Sequence, residues 1–186
     1  MKKRITLLLF LGICMYSNTL TAQKDEEAAL QEIIKTDNQV STNISKGVYY
    51  RHVFNLNADK KIWGGAKGYG EEITCYFEIN DSGEIRLVKI VVSLVKGKEM
   101  AYQNFIFDET EKNIASYTDY YQDEKNIGRQ AAYFGDKSIV GVGVNDKIFI
   151  GDDLTDAMVG TARKFYLKSR KYKKMFETII SLQLSE

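Results

Sequence analysis

Apolar positions along this chain follow three different rhythms. Behind Lys2, Lys3 and Arg4, residues 5–15 form an almost unbroken apolar run, and a short polar stretch, 16–22, ends in small residues. Over 25–36, Ala29, Leu30, Ile33 and Ile34 recur at helical spacing. Asp25, Glu26 and Glu27 occupy the first turn of that helix, where negative charge complements its dipole. Residues 36–46 are polar and read as a connection.

From Gly47 the period becomes two. In 48–56, Val48, Tyr50, His52, Phe54 and Leu56 share one face; Tyr49, Arg51 and Asn55 take the other, with Val53 among them. A glycine-rich loop follows, with Gly64, Gly65, Gly68 and Gly70 around Trp63 and Tyr69. Strand-like runs then cover 72–79, 85–95, 100–107, 114–122, 129–134 and 138–144, with a short strand around Ile148 and Ile150. Short links carrying Asn, Asp, Gly and Ser separate them, so sequential antiparallel pairing is expected.

A weak internal echo runs through these hairpins. Residues 98–107 match 125–134 at an offset of 27, with Lys, an apolar residue, Gln and a closing Phe in step. Phe77, Phe107 and Phe134 each precede a polar turn, and Ile85, Ile114 and Ile139 open the strands that follow. This reads as three related hairpin units.

The last rhythm is helical again, over 153–182. Leu154, Met158, Phe165, Tyr172, Phe176 and Ile179 form a stripe, with Met175 and Ile180 beside it, and Asp153 is placed to cap the start. An antiparallel sheet with one polar and one apolar face needs a cover, which the two terminal helices can supply. The expected fold class is α+β: an antiparallel β-meander of about six to eight strands flanked by an N-terminal helix and a long C-terminal helix.

The first 22 residues have the order of a secretory signal peptide, with cleavage expected after Ala22. The 11-residue apolar run is short of the roughly 20 needed to span a bilayer. A lipid anchor at Cys14 is the alternative, but Ile13 is bulky where a lipoprotein signal has a small residue. The expected product is exported, to the periplasm or cell exterior, as a single domain over 23–186. Losing three basic residues changes the net charge from +1 to −2, which removes the electrostatic case for nucleic acid. Cys75 is then the one remaining cysteine, so no intramolecular disulfide can form.

Candidate chemistry is sparse. His52 is the sole histidine, and its place between Tyr50 and Phe54 reads as a core or sheet-edge residue. Cys75 alternates with Ile73, Phe77 and Ile79, as a buried small hydrophobe would, and carries no activating motif. Pairs such as Glu71-Glu72 and Asp152-Asp153 sit at element starts or loops. No catalytic residue, cofactor or metal site is assigned. The glycine loop misses phosphate-binding spacing, since Lys67 is followed by Gly68. As partner anchors it offers Trp63, Lys67 and Tyr69. The last helix offers Arg163, Lys164, Lys168, Arg170 and Lys171, among seven basic residues within twelve, for an acidic partner or an anionic surface.

The signal ending in Ala-Gln, the aromatic-rich hairpins and the charged last helix together resemble small exported Bacteroidota-type hairpin-repeat proteins, over about residues 72–176. That group is mostly of unknown function, so the resemblance implies export and the hairpin fold but no site residue. The expected function is a non-catalytic binding or interaction protein, such as an inhibitor or immunity protein, whose partner is another protein. The alternatives are a ligand carrier or enzyme with a tyrosine- and His52-lined pocket between sheet and helix, and a structural part of an envelope complex.

Overall fold

The computed structural model describes residues 25–59, 69–136 and 138–184. The signal peptide, Cys14, Trp63 and Lys67 lie outside the described residues.

The first helix, α1, covers 25–45. It runs nine residues past the expected end at 36, across a stretch whose polarity suggested a connection. Two features of that stretch support helix. Val40 is buried two turns beyond Ile33, and Ile44 packs against the same cluster one turn further on. Thr36 and Thr42 turn their hydroxyls back onto the carbonyls of Glu32 and Asn38 instead of competing for the backbone.

Eight strands follow: β1 Tyr50–Leu56, β2 Tyr69–Ile79, β3 Ile85–Lys96, β4 Glu99–Phe107, β5 Asn113–Gln122, β6 Lys125–Phe134, β7 Ile139–Val144 and β8 Lys147–Phe149. They pair in chain order, all antiparallel, as an open meander with β1 and β8 at the edges. The β5–β6 link is shorter than expected. Asp123 and Glu124 alone make the turn, both at positive φ, as a tight two-residue hairpin requires.

After a short 3-10 turn at Gly151–Asp153, helix α2 covers Asp156–Leu184. Asp153 therefore does not cap α2. Thr155 holds that place, its Oγ1 accepting the Met158 N–H at 3.4 Å.

Each helix covers a different face of the sheet. Ile73, Cys75, Phe77, Phe105, Phe107 and Phe134 point toward α2, where they meet Ala162, Phe165, Tyr172 and Phe176. Val88, Ile106, Ala115 and Val140 point the other way, toward Leu30, Ile33 and Val40 of α1. The sheet is thus buried on both faces in its middle, not polar on one side. Bulges make this possible. Register skips Val88 between Leu87 and Lys89, Ile114 between Asn113 and Ala115, and Val140 between Ile139 and Gly141. Each skip lies beside Phe77, Phe107 or Phe134, and each extra residue adds an apolar side chain to the α1 side.

Candidate functional site

Two polar clusters and one exposed helix face hold the chemistry that the fold brings together. The first cluster sits where β2 begins and α2 crosses it. Glu71 alternates with Ile73 and so faces α2. Its two carboxylate oxygens accept separate tyrosine hydroxyls, Tyr172 at 2.8 Å and Tyr69 at 2.5 Å. Burial, then the hydrogen bond to the Glu71 carboxylate, pushes the Tyr69 phenol up to about 12. The same causes raise Tyr172 further. Lys168 reaches toward this corner, 3.5 Å from Gln103 Oε1, and burial lowers its pKa despite the attraction of Glu71. With both oxygens accepting tyrosine hydroxyls, one from β2 and one from α2, Glu71 ties α2 to β2.

The second cluster lies under α1. Lys89 follows the Val88 bulge, which turns it onto the α1 side of the sheet. Its side chain is 6% exposed. Nζ donates to Tyr117 Oη at 3.1 Å and to Ser41 Oγ at 3.4 Å, and stands 3.5 Å from Asp37 Oδ1 as an ion pair. Burial lowers the Lys89 pKa, and Asp37 opposes that shift. Beside it, Arg129 donates from Nε and Nη2 to the two oxygens of Asp119 at 2.6 and 3.1 Å, and its guanidinium lies 4.8 Å from the Tyr117 ring centre. Lys89 thus pins α1 to β3 and β5, and Arg129 ties β6 to β5 beside it.

The exposed face belongs to α2. Its inward stripe is Met158, Ala162, Phe165, Ser169, Tyr172 and Phe176, with the buried Ser169 hydroxyl donating back to the Tyr166 carbonyl. That leaves Arg163, Lys164, Lys168, Arg170, Lys171 and Lys174 on the outside. Among them Tyr166 is 43% and Leu167 64% exposed. A cleft of about 620 Å³ opens between this face and the β6–β7 turn, lined by Phe134, Ile139, Arg163, Tyr166 and Leu167.

Of the residues singled out from sequence, Tyr69 and Lys168 converge on Glu71, while Arg163, Lys164, Arg170 and Lys171 share the outer surface of α2. His52 lies on edge strand β1, half-buried, its ring 5.9 Å from that of Phe54. Cys75 is fully buried, and burial pushes its thiol up to about 12. The tyrosine–carboxylate convergence exists, but around Glu71 and without His52. Sequence reasoning set Glu71 aside as an acidic residue at an element start and passed over Asp37, Lys89, Asp119 and Arg129. A lysine inside the run Leu87-Val88-Lys89-Ile90 was the one available signal, because a charge flanked by apolar residues on both strand faces needs a partner.

Among the described residues no group of three or more His, Cys, Asp or Glu is arranged to hold a metal ion, and no helix is long and apolar enough to cross a membrane. No family model, curated protein or solved structure matches the chain.

Proposed function

We propose that this is an exported, non-catalytic binding protein that meets an acidic protein partner through the outer face of α2. One observation carries the reading: Leu167 stands 64% exposed beside Tyr166, inside a rim of Arg163, Arg170, Lys171 and Lys174. An apolar centre within a charged rim is the anatomy of a docking surface, and the rim's sign selects an acidic partner. The packing beneath supports it. Phe105, Phe107, Tyr172 and Phe176 pack between sheet and α2, so the helix presents its outer face from a buried, aromatic-filled seat. An inhibitor or immunity role fits such a surface, since blocking another protein needs shape and charge, not chemistry. The matching places of Phe77, Phe107 and Phe134 beside their bulges support treating the hairpins as repeats.

The test is cross-linking in the native envelope, comparing wild type with Leu167→Asp/Arg170→Glu. A stoichiometric acidic protein captured by the wild type and lost from the folded variant is the expected result. No such partner, or one captured equally by both, removes the proposal. Binding of anionic vesicles in its place would move the reading to an envelope contact.

A further inference from the structure

Next to the basic face of α2 lies a surface of opposite sign. A groove of about 1050 Å³ opens at the end of α2, where the β2–β3 and β4–β5 turns and the start of β1 meet it. Its lining includes five glutamates, 78, 84, 109, 111 and 177, against one arginine, Arg86. Arg86 is already bound to Glu78, and Lys173 bridges Glu111 at 2.8 Å and Glu177 at 3.7 Å. A net negative rim remains. The groove is also apolar at its open side: Val48 is 57%, Tyr50 58% and Ile79 43% exposed.

The two surfaces are continuous. Glu111 and Glu177 border this groove and also the neighbouring cleft lined by Leu167, Arg170 and Lys174. From Tyr166 to Glu177 is about 17 Å along the helix. One side of the molecule therefore carries, within the reach of a single interface, a basic half around exposed Tyr166 and Leu167 and an acidic half around exposed Val48, Tyr50 and Ile79.

A patch with this polarity is complementary to itself when rotated by half a turn. We propose that two copies of the chain associate about a two-fold axis, with the basic half of each α2 lying against the acidic groove of the other. Every charge contact then occurs twice, and the exposed apolar residues of each half are covered by those of its counterpart. The contact uses the α2 face assigned above to an acidic partner, so the second copy and that partner compete for it.

Sedimentation velocity of the exported protein, purified from its own cells, tests this at about 1 to 500 µM, spanning weak to moderate affinities. A dimer of twice the monomer mass is expected, weakening as salt rises above about 0.1 M, where the screening length is near 10 Å. Glu109→Lys/Glu177→Lys and Arg170→Glu/Lys174→Glu should each weaken it about tenfold or more, because like charges then face each other at both contacts. Mixing the two variants must restore the dimer, since each reversed half now meets its opposite. That rescue also shows that both variants are folded. A monomer throughout the range, assemblies larger than dimers, a dimer indifferent to both reversals, or failure of the mixture to recover would each overturn the proposal. A monomer that still captures an acidic partner through Arg170 would remove the dimer alone and leave the binding function standing.

Discussion

Removing Asp37 tests whether Lys89 is held as a cation beneath α1. In Asp37→Ala the ammonium keeps the hydroxyls of Tyr117 and Ser41 but loses the charge 3.5 Å away. Deleting one partner of a fully buried pair costs about 3–5 kcal/mol. Asp37 is 24% exposed and two neutral acceptors remain, so the expected loss at pH 7 is about 2–3 kcal/mol. Lys89→Met keeps most of the side-chain packing and removes the charge that needs a partner. It leaves Asp37 Oδ1 buried without its cation in turn, so the decisive comparison is the double variant, which should be more stable than Asp37→Ala alone. The pH dependence has a definite sign. Burial holds Lys89 below its ordinary 10.5 in the fold. Between the folded and unfolded values the unfolded chain binds more protons, so stability rises with pH there. Losing Asp37 lowers the folded value further and widens that window downward. The deficit of Asp37→Ala relative to wild type should therefore shrink between pH 7 and about pH 9.5. Urea unfolding followed by circular dichroism, with unchanged slopes, measures it. A deficit below about 0.5 kcal/mol, or one that stays constant with pH, would refute the reasoning.

Three further outcomes follow from the same packing. Phe105 is fully buried with its ring centre 5.5 Å from that of Tyr172, so Phe105→Ala should cost about 3–5 kcal/mol in the same unfolding assay, and a cost near 1 would mean a loose α2 interface. Native Cys75, fully buried with its thiol pushed up to about 12, should react with an aromatic disulfide reagent at least about a hundredfold more slowly than in the urea-unfolded chain, and comparable rates would contradict its burial. Glu71→Gln removes the carboxylate beside Tyr69 but leaves its burial, so the phenol should fall from about 12 yet stay above 10. A tyrosinate absorbance titration, differenced against Tyr69→Phe, reads that shift, and no change would show that Glu71 does not act on Tyr69.

The number, order and pairing of the strands were legible, though β2 and β6 begin earlier than the expected 72 and 129, at Tyr69 and Lys125. Ile73, Cys75 and Phe77 alternate into one face, and short turns of Asn, Asp and Gly leave little choice but to pair neighbours. The second half of α1 was not legible, because Val40 and Ile44 are its only apolar marks among Thr, Asn and Ser, and their value depends on the sheet that receives them. Glu71 was read as an acidic residue at an element start. Nothing local shows that Tyr172, 101 residues later, crosses its strand.

Alternation, turn residues and helical stripes act over a few neighbours, so the kinds of element, their order and most of their inward faces are readable from the chain alone. Which face each helix covers was decided only in three dimensions. The bulges at Val88, Ile114 and Val140 shift the side-chain phase of their strands, sending apolar groups to both sides and Lys89 beneath α1. The pairing of Glu71 with two tyrosines, and the meeting of a basic helix face with an acidic groove, likewise depend on residues far apart in the chain that only packing brings within bonding distance.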